Sequence, residues 1–293
     1  MGQLKLFDCE SVRKPVNVAS VPMRSPFRYA GGKTWLIPEV RRWLKSLGAN
    51  IELIEPFAGG GIVGLTAAFE NLAQKIVLVE KDEDVAAVWR TLFGKDAKWL
   101  ADRIIEFDVS YENANQLMRS HPHTIRERAF LTILRNRLCH GGILAEGSGL
   151  IKRGENGKGL RSRWYPQTLK KRILDIQHVK DRIVFIEGDG FEVICDNANK
   201  PDAAFFIDPP YVKAGKRLYR HFEVNHEYLF EIAACIKGHF LMTYDDAEEI
   251  RLLAAKHGFD LETVPMKTTH HETKMELLIS RDLTWLREWF AGI

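Results

Sequence analysis

Three observations predict an open, mostly parallel α/β sheet. Apolar runs of strand length alternate with helix-length stretches, a glycine-rich turn follows the first run, and the last two runs flank a polar linker as in a hairpin. The chain has 293 residues, 45% hydrophobic and 28% charged. That suits one large α/β domain, or a catalytic domain with a modest insertion.

In chain order, residues 1–24 show no period and read as a loosely held arm. A buried strand is expected at 51–55, a helix at 61–71, a second strand at 75–80 and a helix from about 84 to 92. Residues 96–140 read as helical, whereas 141–168 are rich in Gly, Ser and Arg with little period and read as an inserted or variable region. Strand signals resume at 183–186, 203–207 and 239–244, with a helix at about 225–237 before the last. The pair 261–264 and 275–280, joined by the polar 267–274, predicts a terminal hairpin. Helical spacing of Trp285, Trp289 and Phe290 reads as packing. No internal repeat is found.

Composition narrows the function classes. The first 24 residues hold no apolar run fit for a signal peptide, and no segment approaches the roughly 20 apolar residues of a membrane span, so a cytoplasmic protein without membrane contact is expected. Cys9, Cys139, Cys195 and Cys235 are scattered and read as reduced, mostly buried thiols rather than a zinc site or disulfide framework. His121/His123 and His270/His271 lack metal-ligand spacing, so no metal is expected. Net charge is only +3, but residues 151–182 carry ten Lys or Arg against three acids, and Lys213, Lys216, Arg217 and Arg220 form a second basic cluster. Either run alone reads as a solvated face; together they suit a nucleic-acid partner.

The turn Glu55-Pro56-Phe57-Ala58-Gly59-Gly60-Gly61 lets backbone approach a ligand at a helix start, and Glu80, at the end of the next strand, can hydrogen-bond a ribose. Gly59, Gly61 and Gly64 equally satisfy G-x-G-x-x-G, so at this point a nicotinamide-dependent oxidoreductase fits as well as any adenosine-binding enzyme.

Asp208-Pro209-Pro210-Tyr211 decides between them. It directly follows the strand at 203–207, at the sheet edge where ligands bind. An exocyclic amine on adenine is a poor nucleophile because its lone pair is delocalised into the ring. The Asp208 carboxylate and the Pro209 carbonyl can hold its two hydrogens, Pro210 fixes the turn, and Tyr211 can stack on the base, typically for about 1–3 kcal/mol.

With Phe27-Arg28-Tyr29-Ala30-Gly31-Gly32-Lys33 ahead of these two blocks, the sequence resembles the Dam-type class of DNA adenine-N6 methyltransferases from about Arg24 onward. The resemblance implies a Rossmann-like S-adenosylmethionine-dependent methyltransferase fold with a seven-stranded sheet. It also implies Tyr29, Lys33, Phe57, Gly59, Gly61, Glu80, Asp189, Phe191 and Asp208 as cofactor contacts. Among these, Lys33 would bind the methionine carboxylate, Glu80 the ribose, and Asp189 and Phe191 the cofactor adenine. The family often has Trp where Tyr29 stands and Asp where Glu80 stands, changes that keep the chemistry. Leu134-Arg135-Asn136-Arg137 is similar to the family's Leu-Asn-Arg, whereas 141–168 match no member with a familiar four-base site.

The expected organisation is therefore an arm at 1–24, a catalytic domain at 25–108 and 183–293, and a target-recognition insertion at 109–182. Arg28, Asn136, Arg137, Arg161, Arg163 and Lys213 are the expected DNA contacts. The expected reaction is direct methyl transfer from S-adenosylmethionine to an adenine flipped out of double-stranded DNA, by a monomer that can partner a cognate restriction endonuclease. Cytosine-N4 or RNA amino methylation and a catalytically silent DNA-binding module are the other readings.

Overall fold

The computed structural model describes residues 16–28, 31–142, 144, 148–154, 157–210, 223–267 and 273–291. Tyr29, Tyr211, Lys213 and most of the 267–274 linker lie outside the described residues.

The strands are β1 (Glu52–Glu55), β2 (Lys75–Glu80), β3 (Ile183–Glu187), β4 (Ala203–Ile207), β5 (His239–Asp245), β6 (Asp260–Lys267) and β7 (Thr273–Ser280). They form one seven-stranded sheet in the order β3-β2-β1-β4-β5-β7-β6. The first five pair in parallel, and β7 runs antiparallel to both β5 and β6. This is the expected α/β fold with its terminal hairpin.

Strand periodicity builds a core on each face. Leu53, Ile76, Leu78, Ala204, Phe206 and Leu241 join one cluster, while the intervening Ile54, Val77, Val79, Phe205 and Met242 join the other. The first face is covered by α1 (Ile37–Leu47), α2 (Ile62–Phe69), α3 (Glu83–Phe93), α4 (Ala97–Glu106), α5 (Tyr111–Met118), α6 (Ile125–Leu138) and α7 (Pro166–Ile176). The second is covered by α8 (Gly190–Asn197), α9 (His226–Ala234) and α10 (Glu248–Lys256). α11 (Thr284–Ala291) returns to the first face through Leu286. None of the described helices is long and apolar enough to cross a membrane.

Local signals explain the helix starts. Asp82 caps α3 by accepting from the Asp84 and Val85 amides. Thr124 and Glu127 form a reciprocal capping box at α6, and Pro166 opens α7. Within the described part of residues 97–182, α6 packs on α3, α7 on α4, and Ile133 and Ile173 join the cluster that contains Leu53.

Two expectations are corrected. Of the described part of the arm, Val21 is buried, and Arg24 lies over the Phe69 ring at 4.4 Å and 3.2 Å from Glu70, so this stretch is pinned to the end of α2. Cys139 is buried, but Cys195, on α8, and Cys235, the residue that ends α9, are exposed.

Candidate active site

The parallel strands β1, β2 and β4 all end at one edge of the sheet, which brings Glu55, Glu80 and Asp208 to a single cavity of about 620 Å³. β1 stands between β2 and β4, so the crevice opens where the strand order reverses.

The glycine turn forms the floor. Gly61 has φ +60° and caps α2 without a side-chain hydrogen bond; a Cβ there would stand 2.9 Å from the Trp89 ring. Trp89 supports the turn further by donating from Nε1 to the Gly59 carbonyl at 3.0 Å. Gly190 is needed for a different reason: its Cβ would lie 2.3 Å from the Pro56 carbonyl oxygen, so only glycine lets the start of α8 approach the turn.

Acids ring the cavity. Glu80 accepts from the Gly59 amide at 2.9 Å and the Asp82 amide at 2.8 Å, and burial pushes it up to about 7 despite those bonds. Asp189 caps α8 through the Phe191 amide at 2.8 Å and pairs with Lys81 at 2.7 Å. Glu55, 3% exposed, accepts from the Gly64 amide. Burial pushes Glu55 up to about 8, with the nearby charge of Asp208 adding to the rise. Phe57 meets Phe191 edge-on at 5.9 Å, and Phe191 stacks on Tyr228 at 5.7 Å with the rings 3° from parallel.

Asp208 is held on both oxygens. The Lys33 ammonium lies 2.8 Å from Oδ1 and donates to Oδ2 at 2.9 Å, and the Thr243 hydroxyl donates to Oδ1 at 2.8 Å. Lys33, buried, also donates to the Gly31 carbonyl at 2.8 Å and has Glu276 at 3.9 Å. The ammonium expected at a methionine carboxylate is thus engaged by the acid of the Asp-Pro-Pro-Tyr motif, because the residue 31–33 turn passes beside the end of β4.

Lys33, Phe57, Gly59, Gly61, Glu80, Asp189, Phe191 and Asp208 all line or touch this cavity, as do Arg28 and Pro210. The expected DNA contacts scatter. Asn136 is fully buried: its amide oxygen accepts from Arg28 N at 2.7 Å, and its nitrogen donates to the Arg28 and Gly142 carbonyls at 2.9 and 3.0 Å. Arg137 is buried as well and donates to the Pro26 carbonyl. Both therefore brace the chain at 26–28 instead of presenting a surface, because α6 runs beneath that segment. Arg161 is exposed, 3.9 Å from Asp108, and Arg163 is half-buried. Glu55, Trp89, Tyr228, Thr243 and Glu276 were missed. Glu55 stood in the quoted turn and could have been found there; the others are joined to the site by pairings that no local pattern records.

Residues 29–269 match the family of D12 class N6 adenine-specific DNA methyltransferases. The chain belongs to that family. A DNA N-6-adenine-methyltransferase of Escherichia phage P1 is 24% identical over 269 residues, 86% of this chain and 34% of that protein. The chain thus spans about a third of the length of the curated relative it matches. Among solved structures, a SAM-dependent methyltransferase from Agrobacterium tumefaciens aligns over 85% of this chain and 62% of that one, with 9% identity and a TM-score of 0.40. An rRNA methylase from Streptococcus thermophilus aligns over 83% and 94%, with 10% identity and a TM-score of 0.37. Likeness this distant says nothing of substrate. The D12 chain also departs from the dinucleotide-binding order 3-2-1-4-5-6, since an antiparallel β7 separates β5 from β6.

Proposed function

We propose that this chain transfers a methyl group from S-adenosylmethionine to N6 of an adenine flipped out of double-stranded DNA. The observation that carries the reading is the position of Asp208. It is gripped by Lys33 and Thr243 at one side of a cavity whose far side holds Glu80, Asp189 and Phe191.

The residues present fit the cofactor. Glu80, already anchored by two amides, has lone pairs left for ribose hydroxyls. Phe191 and Phe57 offer apolar walls to the adenine, and Asp189 an acceptor beside it. With Lys33 engaged elsewhere, the methionine carboxylate falls to the N-terminus of α2, where the N-cap residue Gly61 brings no capping side chain and Glu55 takes the Gly64 amide. The bound cofactor would supply an electrophilic methyl on its sulfonium.

Asp208 accepts one hydrogen of the target amine and the Pro209 carbonyl the other, which turns the nitrogen lone pair toward the methyl. Lys33 and Thr243 keep the Asp208 carboxylate in that orientation, so it need not reorganise during reaction. Tyr211 stacks on the flipped base, Tyr29 lies along the cofactor, and Lys213, Arg161 and Arg163 meet phosphates. Residues 109–182 supply target recognition, and a cognate restriction endonuclease is the fitting biological partner.

The test is transfer of labelled methyl to unmethylated genomic DNA, followed by nucleoside mass analysis with Asp208→Ala in parallel. N6-methyladenine from the wild type alone is the expected result. N4-methylcytosine, or no methylated nucleoside from DNA or RNA, overturns the reading.

A further inference from the structure

Residues 23–25 lie ahead of the stretch that matches the family, which begins at residue 29, yet Met23 and Ser25 line the cavity. Ser25 is buried, and its hydroxyl donates to the Gly60 carbonyl at 2.5 Å while accepting from the Phe27 amide at 3.2 Å. The Gly60 carbonyl shares a rigid peptide plane with the Gly61 amide, which donates to the Ala58 carbonyl at 2.6 Å. That plane leads into α2 and is held on both sides, one of them by Ser25. Arg172 on α7 donates to the Ser25 carbonyl at 3.1 Å and Arg137 on α6 to the Pro26 carbonyl, so the serine is itself braced. Met23 is 43% exposed, and its sulfur accepts from the Thr34 hydroxyl at 3.7 Å. Thr34 follows Lys33 and also lines the cavity.

We propose that residues 23–25 build the end of the cofactor site that takes the amino-acid tail of S-adenosylmethionine. This rests on the cofactor reading above. Ser25 is a positioning residue: by fixing the Gly60 carbonyl it sets the first amides of α2, which a helix leaves without intrahelical partners. Ile62 and Val63 carry two of those amides and line the cavity, and a carboxylate is the anion such amides suit. Met23 and Thr34 meet the methylenes between that carboxylate and the sulfonium, because a thioether is a soft, adaptable apolar wall. The adenosine end lies elsewhere, at Glu80, Asp189 and Phe191, so the contribution of residues 23–25 is confined to the tail.

The test is isothermal titration of the full chain with S-adenosylmethionine and with 5′-methylthioadenosine, which keeps the adenosine and a thioether but has no amino-acid tail. Ser25→Ala is expected to weaken S-adenosylmethionine about 2–10-fold, the range for one buried hydrogen bond, and Met23→Ala by a similar factor. Neither should change the affinity for 5′-methylthioadenosine, and Met23→Leu, which keeps the apolar wall, should bind both molecules as the wild type does. Ser280→Ala is the control: it also removes a buried serine bond to a carbonyl, that of Phe240 at 2.8 Å, but Ser280 does not line the cavity and both affinities should stay unchanged. Wild-type affinity for S-adenosylmethionine in folded Ser25→Ala or Met23→Ala overturns the proposal. So does an equal loss of 5′-methylthioadenosine binding in those variants, or an equal loss in Ser280→Ala. A wild type that does not bind S-adenosylmethionine overturns this proposal and the cofactor reading together.

Discussion

Lys33 and Asp208 stand 175 positions apart in the chain, yet the ammonium of one lies within 2.9 Å of both carboxylate oxygens of the other. The block ahead of the glycine turn and the block after β4 are therefore two halves of one device. Lys33→Met is expected to lower kcat by about 10²–10³-fold, the loss typical when one preorganised donor is removed. Cofactor affinity should stay near wild type. Single-turnover rates and cofactor titration check this; lost affinity with kcat intact would return Lys33 to the methionine carboxylate.

Gly61 and Gly48 separate strain from collision. Both have positive φ, +60° and +86°, but a Cβ meets Trp89 at Gly61 and nothing within 4 Å at Gly48. Gly48→Ala is expected to cost about 1–3 kcal/mol for its positive-φ, extended backbone (ψ 170°) alone. Gly61→Ala should cost more than that in urea unfolding and should also weaken cofactor binding, because the displaced Trp89 releases the Gly59 carbonyl.

Glu55 makes stability depend on pH in an unusual direction for a carboxyl. Its pKa is raised in the folded chain to about 8, so the native state binds the proton more tightly than the unfolded state. Its contribution is fully present below the unfolded value near 4.3 and is lost as pH rises toward 8. Unfolding free energy should therefore fall between pH 5 and 8 in the wild type, and by less in Glu55→Gln, whose amide oxygen can still accept from Gly64. Parallel curves for the two proteins would contradict this.

The parts of the fold that sequence made legible are those where one local rule acts alone. β2 at 75–80 and β4 at 203–207 are found at the residues read from their apolar runs, because both are central and buried on two faces. Asn136 shows where such reading stops. The likeness to the family's Leu-Asn-Arg suggests a DNA-facing role, but two of its three partners are the amide and carbonyl of Arg28, 108 positions away, and no period encodes that meeting. The site acids Glu80 and Asp208 were readable because strand ends announce them; Thr243 and Glu276 were not, since β5 and β7 gain meaning only once paired beside β4.

Asn136→Ala removes an amide that satisfies three backbone groups. The expected loss is about 1–3 kcal/mol, the range for leaving buried polar groups unsatisfied, with a rise in exchange of the Arg28 amide. Unchanged hydrogen exchange at that amide would exclude the brace.

Tyr228 completes an aromatic series that begins at Phe57 and passes through Phe191. Tyr228→Ala is expected to weaken cofactor binding by about 2–10-fold, from the 0.5–1.5 kcal/mol of one ring pair. Isothermal titration measures it, and Phe191→Ala should weaken it further.

The placement of β7 between β5 and β6 also constrains the order in which the sheet can be assembled. β6 and β7 pair through a register running from Asp260↔Ser280 to Lys267↔Thr273, the most local pairing in the sheet, whereas β5 has no direct ladder to β6. Closing a short loop is entropically cheaper than a long one. The hairpin is thus expected to form early and to dock on β5 as a unit, which would make the arrival of Glu276 beside Lys33 a late event in maturation of the active site.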